Sequence, residues 1–186
     1  MLTFTRINTR HPQYVFVEKL LHQSFPLEER RDDAEQRNNT DHNASFFCYL
    51  IEENKNETEE NQLIGFITLW KLNGFYYAEH LATSPEVRNK GYGKHIMEEL
   101  KQQFADNPIV LEVERPENEM SKRRIGFYQR CGFSLCLQDY IQPAYRKGGK
   151  EVPLYLMYAG REEIDTCFSQ IRDEIYRHVY GVNKLQ

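Results

Sequence analysis

No stretch of the chain approaches the roughly 18 consecutive apolar residues of a membrane helix, and the opening residues Met1-Leu-Thr-Phe-Thr-Arg6 lack the apolar run of a secretory signal. Cysteine is scarce. Its four residues (Cys48, Cys131, Cys136 and Cys167) form no C-x-x-C pair and have no histidine at zinc spacing. Reduced thiols, no metal and a cytoplasmic location are therefore expected. With 10 Gly and 7 Pro in 186 residues, the sequence is neither fibrous nor of low complexity. Positive charge is not in excess either: 24 Lys+Arg face 28 Asp+Glu, a net −4. That balance speaks against nucleic acid as a partner, and with no apolar span no membrane partner is expected either. The acidity is also local, because Glu52 to Gln62 holds five Glu and one Lys and accounts for the whole net charge. A run of this kind reads as a solvated loop.

What remains is 40% hydrophobic and 28% charged, a composition that fits one soluble globular domain. Phe4 to Ile7 predicts a first strand. After Pro12, Val17, Leu20, Leu21 and Ser24 recur at helical spacing until Pro26. Leu27 to Arg37 reads as a polar helix. Phe46 to Ile51 and Leu63 to Trp70 read as strands around the acidic loop, and Asn73-Gly74 as a hairpin turn into a strand over Phe75 to Thr83. Gly93, Ile96, Met97, Leu100 and Phe104 then mark an amphipathic helix. Ile109 to Val113 predicts a strand, Ser121 to Arg130 a helix ended by Gly132, and Phe133 to Leu137 a further strand. Gln138 to Glu151 reads as a long loop, Val152 to Tyr158 as the last strand, and Ile164 to Val179 as a C-terminal helix capped by Gly181. This order predicts an α/β (α+β) protein with a mixed, mainly antiparallel sheet flanked by helices.

One segment carries chemistry. Glu79 to Lys94 runs from a strand through a short loop with Arg88, Lys90, Gly91 and Gly93 straight into a helix. The first N–H groups of a helix lack intrahelical partners and carry partial positive charge. Two glycines clear the way for backbone N–H groups to close on phosphate oxygens. Arg88, Lys90 and Lys94 outweigh Glu86, so a pyrophosphate is the natural ligand. The dinucleotide G-x-G-x-x-G is absent, since Met97 stands near the third position, and so is the P-loop pattern.

Arg88-Asn-Lys-Gly91-Tyr-Gly93 resembles the R/Q-x-x-G-x-G/A signature of the GNAT superfamily of acyl-CoA-dependent N-acyltransferases. Phe127-Tyr128, followed by Gly132-Phe133, is similar to that family's aromatic and Gly-Phe element, and Val110 to Val113 lies between the two where the family has its fifth strand. The resemblance covers residues 63 to 159. It implies a GNAT-like fold and a single N-acetyltransferase domain over 1–186, with a core at 1–159 and a C-terminal amphipathic helix at 160–186. It also implies acetyl-CoA as co-substrate. Its pyrophosphate would sit on Arg88, Asn89, Lys90, Gly91, Tyr92, Gly93 and Lys94. Its pantetheine arm would lie along the strand edge at Leu81, Ala82 and Thr83, and Ser121 stands where many members carry a pantetheine-binding Asn.

Direct acyl transfer asks for a neutral amine, stabilisation of an oxyanion and a proton for the departing thiolate. Glu79, Glu112 and Glu114 are candidate bases. Alternation places Glu79 with Tyr77 and Leu81, and Glu112 with Glu114. The other reading for each is a solvated or salt-bridged strand carboxylate. Tyr128 matches the family tyrosine that hydrogen-bonds the CoA sulfur and supplies the proton. Cys131 has no matched base, and Lys122-Arg123-Arg124 reads as a solvated helix face. By resemblance, acceptor selectivity would come from Phe25 to Arg31 and Tyr140 to Tyr145. The expected partner is an amine, on a small molecule or on a peptide or protein. The expected reaction is acetyl transfer to a primary amine in a ternary complex; the alternative is a non-catalytic CoA-binding sensor. Monomer and homodimer both remain open.

Overall fold

A computed structural model of the chain describes residues 1–54 and 61–182. Its strands and helices are, in chain order, β1 (Leu2–Ile7), α1 (Tyr14–Ser24), α2 (Asp33–His42), β2 (Phe46–Glu53), β3 (Gln62–Leu72), β4 (Phe75–Thr83), α3 (Tyr92–Gln103), β5 (Ile109–Glu114), α4 (Glu119–Arg130), β6 (Ser134–Gln142), β7 (Val152–Ala159) and α5 (Phe168–His178). The strands are hydrogen-bonded in the order β1-β2-β3-β4-β5-β7-β6. β1–β2, β2–β3, β5–β7 and β6–β7 are antiparallel, and β4–β5 is parallel. The sheet is therefore mixed and mainly antiparallel, as expected. Most of the acidic run, residues 55–60, lies outside the described residues; its first two glutamates end β2.

The chain divides into two compact units. The first comprises residues 1–70 and 79–100. In it, Ile64 to Trp70 of β3 is buried without interruption, the pattern of a strand covered on both faces. Tyr14, Val17, Leu20 and Leu21 form the buried stripe of α1. At Gly65 the carbonyl oxygen of Ala82 stands 2.1 Å from where a Cβ would be, so β3 and β4 approach more closely than any side chain allows. Pairing between β2 and β3 shifts register beside it, between Ile51 and Glu52.

The second unit comprises residues 71–78 and 101–186. Here Tyr76, Tyr77 and Ala78 of β4 pair with Ile109, Val110 and Leu111 of β5. α5 turns Phe168, Ile171, Ile175 and Tyr176 inward, and Gly181 adopts φ 67° just beyond it.

Two elements differ from expectation. Leu27 to Arg37 is not one helix. A single 3-10 turn covers Leu27–Glu29, Arg30 and Asp32 are extended, and α2 starts only at Asp33. The break turns Arg31 into the core, where it is 1% exposed. β6 also runs on to Gln142 through what reads as loop. Its register shifts between Cys136 and Tyr140, where four residues of β6 span two of β7; the slip of two keeps the alternation in phase, so Cys136, Tyr140 and Gln142 are all buried.

Candidate active site

Within the first unit, β4 ends at Thr83, one 3-10 turn spans Pro85–Val87, and α3 opens at Tyr92. The loop between them is built from left-handed backbone: Asn89 has φ 63° and Gly91 φ 85°. Asn tolerates that region and Gly takes it without cost. Consecutive turns of this kind aim backbone N–H groups to one side and make an anion-binding concavity. Gly91 O accepts the first helical bonds, from Lys94 N at 3.1 Å and His95 N at 3.4 Å. The N–H groups ahead of them belong to the unsatisfied first turn of a 12-residue helix. Space around a Cβ at Gly91 is open. Arg88, Lys90 and Lys94 are exposed beside the loop, and Lys94 reaches Glu98 at 3.6 Å. Tyr92 Oη donates to Glu53 at 2.5 Å, tying the head of α3 to the end of β2. These residues fit the pyrophosphate of an acyl-CoA. Leu81 and Thr83 are half-buried on β4, with Ala82 buried between them.

Glu79 lies in the same unit, and its side chain is fully buried. Arg31 grips both oxygens, Nη1 to Oε2 at 3.0 Å and Nη2 to Oε1 at 2.5 Å, while Trp70 Nε1 donates to Oε2 at 3.0 Å. Gln36 accepts from Arg31 Nη1 at 3.0 Å, and the guanidinium lies 5.3 Å from the Trp70 ring. Burial pushes the Glu79 carboxyl up, but Arg31 and then His80 more than offset it and hold it well below the usual carboxylate range. His80 is itself buried, with Nε2 at 2.9 Å from the Glu29 carbonyl and its backbone N–H on Thr68 Oγ1. Arg31, 48 residues from Glu79, carried no signal in the sequence beyond its place in the Phe25 to Arg31 segment.

In the second unit α4 begins with a capping box. Ser121 N donates to Asn118 Oδ1 at 2.9 Å and Asn118 N to Ser121 Oγ at 3.2 Å. The Ser121 hydroxyl also donates to Asn118 O, so this buried side chain is engaged locally. The helix ends in a Schellman turn: Phe133 N bonds Tyr128 O at 3.0 Å, Gly132 N bonds Gln129 O at 2.9 Å, and Gly132 has φ 84°. The Phe127-Tyr128 and Gly132-Phe133 element is thus one helix terminus, and it packs the half-buried Tyr128 ring 5.2 Å from Phe127 and 5.9 Å from Phe133. Burial raises the Tyr128 phenol, with Arg124 opposing. Arg124 itself pairs with Glu114 at 2.6 Å.

Glu112 sits among tyrosines of this unit. Tyr140 Oη donates to it, and Tyr180 Oη lies 3.1 and 2.9 Å from its two oxygens. Glu112 is half-buried. Tyr180, just past α5, had not been singled out from sequence, because nothing local to it marks a partner 68 residues away. A separate groove of about 460 Å³, lined by Phe75, Ile164, Ile171 and Arg177 among others, contains none of the predicted site residues.

Residues 14–133 match the Acetyltransferase (GNAT) family. The chain belongs to that family. It is an acetyltransferase of that family. A solved structure from Bacteroides thetaiotaomicron, assigned as an acetyltransferase of the GNAT family, is 44% identical with a TM-score of 0.88, covering 97% of this chain and 99% of that one. The spermidine N-acetyltransferase of Vibrio cholerae in complex with CoA and spermine is 17% identical with a TM-score of 0.62, covering 84% and 94%. A chimera of that Vibrio cholerae enzyme with hSSAT is 16% identical with a TM-score of 0.63, covering 85% and 94%. At such identities the likeness is one of fold. No curated protein matches the chain. Among the described residues, no helix of this family member is long and apolar enough to cross a membrane.

Proposed function

We propose that this GNAT protein moves the acetyl group of acetyl-CoA to a primary amine by direct attack in a ternary complex. The observation that carries the reading is the loop at the head of α3, where Asn89 and Gly91 are left-handed and Arg88 and Lys90 stand exposed beside them. Acetyl-CoA, when bound, supplies the thioester. Backbone N–H groups of residues 88 to 93 and the nearby cations would hold its pyrophosphate, and Leu81 to Thr83 would offer a strand edge to the pantetheine.

Tyr128 is proposed to hold a proton on Oη for the departing sulfur. Its raised pKa keeps the phenol protonated, and so a donor, throughout the neutral range. For proton removal from the acceptor we place Glu112 ahead of Glu79. A carboxylate gripped by Arg31 on both oxygens, with its pKa lowered, is a weak base. Glu112 is only half-buried, and the hydroxyls of Tyr140 and Tyr180 are among the groups that donate to it. Glu79 is then a positioning residue that fixes Arg31 against β4.

Calorimetry with acetyl-CoA, followed by free-thiol release across a panel of alkylamines, arylamines and peptides, tests the reading. Binding that Gly91→Glu abolishes, together with turnover on at least one amine, is expected. Binding without turnover on any amine would favour the sensor. Tyr128→Phe should lower kcat about 10²-fold or more, in the range general acids contribute, with little change in acetyl-CoA affinity; wild-type kcat in this variant would remove its acid role.

A further inference from the structure

The groove of about 460 Å³ holds none of the residues assigned to acetyl transfer, and it lies wholly within the second unit. Its walls come from the Asn73-Gly74 turn and the start of β4, from Pro108 ahead of β5, from the segment that leads into α5, and from α5 itself. A volume of this size is that of a small-molecule site. Phe75, Ile164 and Ile171 are buried and supply an apolar floor, whereas Asn73, Arg161 and Arg177 are exposed and make a polar rim.

The charges that line the groove are not equally engaged. Asp173 accepts from Arg172 Nε at 3.0 Å and Nη2 at 2.8 Å. Glu174 accepts from Arg177 Nη1 and from the Asn73 backbone N–H, each at 3.4 Å, and His178 Nε2 stands 3.6 Å from it. Arg161 differs. Its Nη1 donates to Cys167 Sγ at 3.2 Å, while the thiol donates onward to the Ile164 carbonyl at 3.5 Å. No carboxylate among the described residues pairs with this guanidinium. Glu162, Glu163 and Asp165, the acids of the same segment, lie outside the lining. Glu163 is taken up by Asp165 N and Thr166 Oγ1, and Asp165 by Cys136 and Gln138. Sulfur is a weak acceptor, so Cys167 places the Arg161 guanidinium without neutralising it. Nε and Nη2 are left as a planar pair of donors that matches the two oxygens of a carboxylate.

We propose that this groove is a second ligand site, and that it binds a small monocarboxylate with an apolar body. Arg161 holds the carboxylate, and the body rests on Phe75, Ile164 and Ile171. Charge and floor each select for part of that ligand: the charge rejects a cationic amine, and the apolar floor disfavours a simple inorganic anion. The site does not depend on the proposed acetyl transfer and stands or falls apart from it.

The test is calorimetry of the full chain with 3-phenylpropanoate, without and with acetyl-CoA. Saturable binding at one site is expected, with the same affinity in both titrations. 3-Phenylpropanamide keeps the body and loses the charge, and propanoate keeps the charge and loses the ring; each should bind about tenfold or more weakly. Arg161→Gln, at an exposed position, should weaken 3-phenylpropanoate about tenfold or more while leaving the melting temperature unchanged. Arg123→Gln, which removes the same charge from the exposed face of α4, should leave the affinity as in wild type. Equal affinity in wild type and Arg161→Gln would overturn the proposal, as would equal affinity for the acid and its amide. Displacement of the probe by acetyl-CoA would place it in the cofactor loop instead, and an absence of saturable binding would remove the site altogether. Acetyl transfer is read separately, by thiol release, so failure of either reading is visible without the other.

Discussion

Arg31 and Glu79 are 1% and 0% exposed at their side chains, and at that depth neither charge tolerates the loss of the other. Removing one partner of such a pair typically costs about 3–5 kcal/mol, because the remaining charge is left buried and uncompensated. Arg31→Met should therefore lower the melting temperature severely, whereas Arg31→Met combined with Glu79→Leu should recover much of the loss; equal destabilisation in both would mean the pair is not the cause. The pH dependence has a definite sign. The folded-state pKa of Glu79 is depressed, so its contribution is full above the ordinary carboxylate value of about 4.3 and disappears as pH falls below it. The stability gap between wild type and Glu79→Gln should be constant from pH 8 to 5 and shrink in chemical denaturation at pH 3. None of this was legible in the sequence beyond a general alternative, that a strand glutamate is often salt-bridged. An ion pair spanning 48 residues leaves no periodicity to read.

Elements were legible where their signals are local. The hairpin turn at Asn73-Gly74, the stripe of α3 and the glycine that ends α4 all depend on residues within a turn or two. Boundaries failed where a tertiary demand prevailed over local preference, at Arg30 to Asp32, which is extended to deliver Arg31, and along β6, which continues past its register shift to bury Tyr140. Ser121 illustrates how one residue supports two readings. It is a cofactor contact by resemblance, and a member of the α4 capping box by geometry. Ser121→Ala should cost about 1 kcal/mol through the cap. If the residue serves the helix alone, the acetyl-CoA dissociation constant will be unchanged; a rise well beyond that of Asn118→Ala would restore the cofactor contact. Gly132→Ala, at φ 84° in the Schellman turn, should cost about 1–2 kcal/mol and loosen the packing of Tyr128.

Over the whole chain, charge distribution says more than net charge. The acidic run accounts for all of the net −4 and stands some thirty residues from the cofactor loop in sequence. The fold brings one of its glutamates to that loop: Glu53, at the end of β2, accepts from the Tyr92 hydroxyl at the head of α3. The bond raises the Tyr92 phenol and holds a carboxylate beside the loop that is proposed to receive a pyrophosphate. Two effects of Glu53 oppose each other there. Its acceptor oxygen steadies the loop, while its charge repels an anionic ligand. Glu53→Gln separates them, because the amide oxygen can still accept from Tyr92 and only the charge is lost. A unit charge some 8–10 Å from a phosphate in high dielectric is worth roughly 0.5 kcal/mol, so acetyl-CoA should bind about two- to threefold more tightly to Glu53→Gln in dilute buffer. At 1 M salt, where the screening length is about 3 Å, the advantage should vanish. Tyr92→Phe loses the anchor and keeps the charge, and it should weaken binding at both ionic strengths. If Glu53→Gln binds acetyl-CoA no more tightly than wild type in dilute buffer, the pyrophosphate does not lie where the loop at residues 88 to 93 would place it.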